Sequence, residues 1–559
     1  MTTVAVLGGG VAGLTAAHEL AERGFSVTVY EARDLLGGKA RSLPVPGSGV
    51  GGRRDLPAEH GFRFFPGFYR HVPDTMRRIG VEQHLVGAER ILLAQGDGNN
   101  ELLTAAHLPE SLEDFAVVAR FLLEAATGLG VPPEDTAWFL DRLLALLTSC
   151  DERRLGQWEL ESWWSFVGAD DRSPAFRTFL ADGLTRTLVA ARAREMSART
   201  GGMILLQLLF DLTRAGGRAD RVLDGPTSDV WTDPWAAHLE GLGVDIRREM
   251  PVEGITMSGG RVAGATAGGQ PVTADHYVAA VPVEVMRMLA DPDLRAAEPR
   301  LKRLDRLVTR WMNGVMFYLD EDVPLVKGHA IYIDSEWALT SISQRQFWRG
   351  YDFAQVGDGR VGGILSVDVS DWSRPSRRLG KIAMQCSHDE VLAEVWAQLK
   401  DHLEDLDDAN MLRAFLDPAI EFPNPTQAAN LEPLLVNTAG SWADRPEAVT
   451  RIPNLFLASD YVRTHTDLAT MEGANEAARR AVNGILDATG SSAPRCEIWK
   501  LREPAAFAPA RALDRIRWAL FHRPAKSPLR VTEAGSVEPT GPVAAGLVKL
   551  GPAFRRLFG

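Results

Sequence analysis

Val4-Ala5-Val6-Leu7-Gly8-Gly9-Gly10-Val11-Ala12-Gly13 opens the chain with a short apolar run that breaks into glycine and then into helical text. The run reads as a buried strand. Ala12 to Arg23 carries apolar residues at helical spacing (Leu14, Ala17, Leu20, Ala21) and stops at Gly24, a residue suited to ending a helix. Phe25 to Tyr30 reads as a second strand, closing a β-α-β unit of about thirty residues. Within it Gly8 permits a tight turn, Gly10 lets a pyrophosphate approach the backbone, and Gly13 lets helix and strand pack closely. The free N–H groups and dipole of the helix start attract phosphate. Glu31 ends the second strand, where a carboxylate accepts ribose hydroxyls and repels a 2′-phosphate, which disfavours NADP. The chain holds its own control: Gly357-Asp358-Gly359-Arg360-Val361-Gly362 has the same glycine pattern but runs into strand-like text, so it reads as a hairpin turn.

The surrounding composition is that of a globular chain. It has 559 residues, 45% hydrophobic and 24% charged, with mean hydropathy −0.10. A net charge of −12 argues against nucleic-acid binding. Three cysteines (Cys150, Cys386, Cys496) without a C-x-x-C exclude a disulfide framework or a cysteine zinc site, and no metal is expected. No apolar run reaches the roughly 18 residues of a membrane span. The first residues lack a basic leader, so cytoplasmic residence is the expectation.

Helical text fills Leu112–Leu129, Glu134–Leu147 and Gly202–Leu212. Strands are expected at Val244–Ile246, Val252–Met257, Arg261–Ala265 and His276–Val281. More follow at Val315–Leu319, His329–Ile333, Trp337–Ser343 and Ile364–Val369. Asp389–Leu406 and Glu472–Leu486 read as helices, and Leu455–Ala458 as a strand. Residues 495–559 carry twelve basic against five acidic residues. In this tail Ala508–Arg523 sets Leu513, Ile516, Leu520 and Phe521 on one helical side, with Arg511, Arg515 and Arg517 available to anionic head groups. That pattern suits either an arm packed on its own protein or a peripheral membrane helix.

Four further stretches carry a resemblance. Glu31-Ala32-Arg33-Asp34-Leu35-Leu36-Gly37-Gly38-Lys39-Ala40-Arg41-Ser42 continues the first unit. Leu457-Ala458-Ser459-Asp460-Tyr461 and Asp467-Leu468-Ala469-Thr470-Met471-Glu472-Gly473-Ala474 lie near the other end. Glu59-His60-Gly61-Phe62-Arg63-Phe64-Phe65-Pro66-Gly67-Phe68-Tyr69 stands between. Together they resemble the flavin-containing amine oxidase and phytoene desaturase superfamily, and are similar above all to its carotenoid desaturase and hydroxysqualene dehydroxylase-like members. The resemblance implies FAD as cofactor. Gly8, Gly10, Val11, Ala12, Gly13, Glu31 and Ala32 would hold its ADP half, Gly37, Gly38 and Arg41 would lie along the pyrophosphate, and Lys39 and Ala40 of the same turn would also contact the cofactor. Val252 would meet the adenine. Gly61, Phe62, Arg63, Ser459, Asp460, Thr470, Met471, Glu472 and Ala474 would complete the site, with Arg63 and Thr470 as catalytic candidates. Ser459 stands where the family carries Gly. His60 reads as a satisfied structural histidine.

The implied fold is α/β: a discontinuous, GR2-like Rossmann FAD-binding domain (1–75, 220–290 and 430–490) with an inserted α+β substrate domain (76–219 and 291–429) and a basic tail (491–559). Trp158, Trp163, Trp164, Phe166 and the Trp337–Ser343 strand are candidate pocket lining. The implied activity is hydride abstraction from a lipophilic, isoprenoid or polyene-type substrate, with a quinone or O2 as electron acceptor. Met312–Leu319 lacks the lysine that amine oxidases place near the flavin, and no aromatic pair precedes Met471. The alternatives are an amine oxidase acting on a C–N bond and a redox-neutral flavoprotein isomerase or hydratase.

Overall fold

The structure, a computed structural model, describes all residues except 89, 97–100, 105–111, 184–185, 187–190, 213–219, 324, 405, 523–526, 543–544 and 547–559. The Arg523 end of the tail segment lies outside the described residues.

The opening unit forms as its sequence dictates. Strand β1 (Thr3–Leu7), helix α1 (Val11–Ala21) and strand β2 (Ser26–Tyr30) make one right-handed crossover. They belong to a five-stranded parallel sheet whose order is Leu455–Leu457, His276–Ala279, β1, β2, Asp245–Arg247. The order reverses between β1 and His276–Ala279, and ligands of such sheets sit at that reversal, beyond the carboxyl ends of the strands. Helix Met471–Thr489 packs on α1 and its buried alanines and Ile485 join the same core as Val4, Val6 and Leu14. Two sequence-remote ends are thereby fused into one layer.

A second sheet has seven strands, in the order Met411–Leu416, Asn313–Leu319, Gly363–Val369, Leu339–Ser343, Gly328–Tyr332, Arg90–Ala94, Glu101–Thr104. Its first strand and its last two were not foreseen. Register pairs Thr340 with Asp368 and Ile331 with Thr340, so these three residues share one face, and His329, two residues before Ile331, joins them. The other face (Val315, Phe317, Leu365, Val367, Leu339) is buried against helix His388–Lys400. That helix is shorter than the Asp389–Leu406 expected. Gly357 and Gly359 adopt φ of +59° and +84° in a turn leading to Gly363–Val369, and no helix follows them.

A helical layer of Leu112–Gly128, Pro133–Thr148 and Ala198–Leu212 has its own core around Leu140, Leu144, Trp163 and Phe166. The tail is packed against the body. Ala493, Cys496 and Leu501 join the first core, and Phe507, Leu529 and Val531 join the helical one. Helix Ala508–Phe521 is anchored by Asp514, which accepts from the N–H of Cys150 at 2.9 Å and from Arg153 Nε at 3.0 Å.

Candidate functional site

At the sheet reversal lies a cavity of about 620 Å³, and most of the residues expected to hold the cofactor line it. Gly8 turns at φ +111°, and a Cβ there would stand 2.6 Å from the Ala280 carbonyl oxygen. A Cβ on Gly13 would stand 1.8 Å from the Gly8 oxygen, so α1 can lie on β1 only without one. Gly13 packs the cradle and does not line the cavity. Gly10 starts α1 with no side-chain cap, and no acid occupies the first turn. The first-turn N–H groups of α1 therefore carry the attraction for phosphate, with Gly10, Val11 and Ala12 at the cavity wall. Gly37 donates to the Gly9 carbonyl at 2.9 Å, which sets Gly38 against Gly10. Glu31 accepts from the N–H groups of Gly9 (2.7 Å) and Arg33 (3.0 Å) and lines the cavity beside Ala32 and Val252.

The two cations of this turn are placed otherwise than expected. Arg41 is buried and does not line the cavity; it donates to both oxygens of Glu432 at 2.9 and 2.8 Å and to the Gly38 carbonyl. Against the upward push of burial, the Arg41 hydrogen bond holds the Glu432 carboxyl down to about 2. Arg41 acts on the cradle by bracing the Gly38 carbonyl. Lys39 and Ala40 do line the cavity, but the Lys39 ammonium lies 3.1 Å from Glu284 and donates to the Pro433 carbonyl. Glu284 and Glu432 had no motif to mark them, because each matters only through a partner hundreds of residues away.

Ser459 and Asp460 follow strand Leu455–Leu457 to the cavity wall, where Thr470, Met471 and Ala474 also lie. Thr470 caps helix Met471–Thr489 by accepting from Gly473 N–H at 3.2 Å. Glu472 corrects the expectation for it. Its carboxylate turns away from the cavity and accepts from the N–H groups of Arg70 (2.6 Å), His71 (2.7 Å) and Val72 (2.9 Å), capping helix His71–Arg78.

Gly61, Phe62 and Arg63 line the opposite end. Arg63 donates to the Gly61 and Lys39 carbonyls (2.9 and 3.2 Å), and burial lowers its pKa from the ordinary arginine value. His60 is held by Asp417, whose carboxylate lies 2.7 Å from Nδ1. Above them the seven-stranded sheet contributes Asp368, Thr340, Ile331 and His329. The sequence reading missed Asp368 and His329, although Ser366 and Asp368 alternate with Leu365 and Val367 in a strand buried throughout, a pattern that marks a polar face turned inward. Of the expected lining only Thr340 takes that place. Trp158, Trp163 and Phe166 fill the helical core, Trp164 packs under Arg194, and Trp337 lies on the far side of the sheet, because aromatic bulk at helical spacing packs against neighbouring helices.

Residues 11–486 match the family model described as flavin containing amine oxidoreductase. The chain is 24% identical over 493 residues to 15-cis-phytoene desaturase of Synechococcus elongatus, covering 84% of this chain and 93% of that one. It is 24% identical over 518 residues to zeta-carotene desaturase of Synechocystis sp., covering 86% and 97%. Putrescine oxidase bound to putrescine shares the fold at TM-score 0.59 and 16% identity, over 87% of this chain and 99% of that one. Candidates for the adenine (Val252), ribose (Glu31), phosphate (Gly10, Gly38) and flavin (Arg63, Thr470) ends all line one cavity, so these residues fit FAD. The chain belongs to the flavin containing amine oxidoreductase family and is an FAD-dependent oxidoreductase.

Proposed function

We propose that the enzyme is a desaturase that removes hydride from a lipophilic substrate of isoprenoid or polyene type. The observation that carries this reading is the apolar part of the cavity lining outside the cofactor motifs, to which Met196, Ile204, Leu208, Met312, Leu435 and Val436 contribute. Such a wall binds a hydrocarbon chain by burial and excludes water. FAD held in the cradle supplies a ring that accepts two electrons as hydride. The chain's own residues orient and insulate: Arg63 presents a half-buried cation at the flavin end, and the helix start at Met471 presents N–H groups there. The printed names of the carotenoid desaturase relatives support the same substrate class. The electron acceptor in this reading is a quinone or O2. The test is anaerobic mixing of the holoenzyme with 15-cis-phytoene, squalene derivatives, sterols and amines. Bleaching of the flavin by a polyene or isoprenoid, with a new alkene in the product, is expected; bleaching by amines alone, with peroxide formed on admitting oxygen, would establish C–N oxidation instead.

The tail adds a route to such a substrate. Ile516, Leu520 and Phe521 are 57, 67 and 62% exposed on helix Ala508–Phe521, with Arg517 exposed beside them. Apolar residues flanked by arginine fit the surface of an anionic bilayer. Co-sedimentation with vesicles containing phosphatidylglycerol, lost in an Ile516→Ser/Leu520→Ser variant, is the expected result.

A further inference from the structure

We propose that Asp368 is the proton-exchanging group of the cavity and accepts the proton that a bound substrate loses during desaturation. The second half of this assignment rests on the desaturase reading above. Forming a carbon–carbon double bond removes two hydrogens. One C–H bond breaks with its electron pair leaving as hydride to oxidised flavin. The neighbouring C–H bond leaves its pair behind as the new π bond, and its proton needs a base. Water is kept out of an apolar cavity, so the base must come from the wall.

Most titratable groups in that wall are already committed. Glu31 holds the N–H groups of Gly9 and Arg33, Glu284 holds Lys39, and Glu432 holds Arg41. His60 sits on Asp417. Asp460 accepts from the Ser459 hydroxyl at 3.2 Å beside the strand end Leu455–Leu457. Burial raises the Tyr69 hydroxyl away from any use as a base. Asp368 differs. Its carboxyl is buried on the cavity side of the seven-stranded sheet, and Oδ1 has no hydrogen-bond partner among the described residues. A buried oxygen left unpaired costs free energy unless something else engages it, and the cavity is what it faces.

Its position is at the flavin end. A Cβ on Gly61 would stand 2.9 Å from Asp368 Oδ1 and 3.5 Å from Arg63 Nη2, so carboxyl and guanidinium meet over one glycine. Only Gly at 61 leaves that approach open. The charged neighbours set the proton affinity. Burial raises the carboxyl, Arg63 and the Phe62 N–H lower it, and Asp417 and Glu59 raise it, leaving it near 7. A group balanced there can take a proton at neutral pH and return it to solvent. His329 shares the face, its ring edge-on to Phe62 and Phe64 with centroids 5.4 and 4.2 Å away, but burial pushes it down to about 4. It stays neutral and is too weak a base to hold a proton at neutral pH.

The test uses the holoenzyme with Asp368→Asn and Asp368→Glu, both first checked for unchanged flavin content. Infrared titration without substrate should show a protonated-carboxyl band in the wild type that disappears on deprotonation near pH 7. The band should be missing in D368N. With whichever member of the substrate panel reduces the wild type, D368N should slow anaerobic flavin reduction by roughly 10²–10⁴-fold and flatten its pH profile, while D368E recovers much of the rate. The proposal is overturned if no such band exists, if it persists in D368N, or if D368N keeps the wild-type rate and pH profile. A wild type that no panel member reduces, with the titrating band intact, refutes the desaturase reading and still supports Asp368 as the proton-exchanging group.

Discussion

Single residues in this protein act through what stands next to them. The helix start at Gly10 is open to a phosphate because no side chain caps it, and Glu31 holds the loop by two N–H groups while it lines the cavity. Glu31→Ala and Gly13→Ala are therefore expected to give largely colourless protein, read as the flavin-to-protein ratio after desalting. For Gly13 the reason is steric, since the new methyl would meet the Gly8 oxygen at 1.8 Å. The buried histidines impose a pH dependence. Burial lowers His18 and His329 to about 4 from an ordinary 6.5. Between those values the unfolded chain binds protons that the folded chain refuses, so stability falls as pH drops from 6.5 towards 4. The slope is up to about 1.4 kcal/mol per pH unit for each histidine. Denaturant unfolding across that range should show the decline, and His329→Gln should make it shallower.

Elements are joined by buried ion pairs more than by motif. Glu19 on α1 receives Arg23, Arg78 and Arg479, which ties α1 to helices His71–Arg78 and Met471–Thr489. Burial pushes its carboxyl up, but the Arg78 hydrogen bond and the Arg479 and Arg23 charges hold it near 2. Glu19→Gln removes the carboxylate these arginines share, while Arg78 keeps Glu22 and Asp74 and Arg479 keeps Asp74, so it should cost about 1–3 kcal/mol in urea unfolding. Glu472 tests the other placement. As a cap on helix His71–Arg78 its replacement by Gln should cost about 1–3 kcal/mol while the folded fraction keeps its flavin. A stable but colourless variant would return Glu472 to the cofactor contacts.

On the scale of the molecule, the cavity is built by both ends of the chain and by the inserted sheet, so cofactor and fold are coupled. FAD removal should lower the melting temperature, and adding FAD back should restore it, because the ligand binds only the assembled state. The tail is part of that body up to its outward face. Asp514→Ala should release helix Ala508–Phe521 to limited proteolysis and leave flavin content unchanged, since Asp514 grips Cys150 and Arg153 far from the cradle.

The β-α-β unit, the place of Glu31 at the cavity wall and the distant Thr470–Ala474 helix start were legible in the sequence, because each is a local pattern whose spacing lies within a few residues. Strand periodicity likewise revealed the sheet of Val315–Leu319 and Ile364–Val369, though not the strands Met411–Leu416, Arg90–Ala94 and Glu101–Thr104 that extend it. What local pattern could not decide was direction and partnership. Arg41 and Lys39 read as cofactor ligands until Glu432 and Glu284 claimed them, Glu472 faced the cofactor until His71–Arg78 needed a cap, and the tryptophans lined a pocket until the helical core took them. Asp368 was, with Ser366, one of two polar letters in an apolar strand. A strand's period assigns its residues to two faces without saying which face meets the cavity, and only the packing of one sheet over the other made that choice.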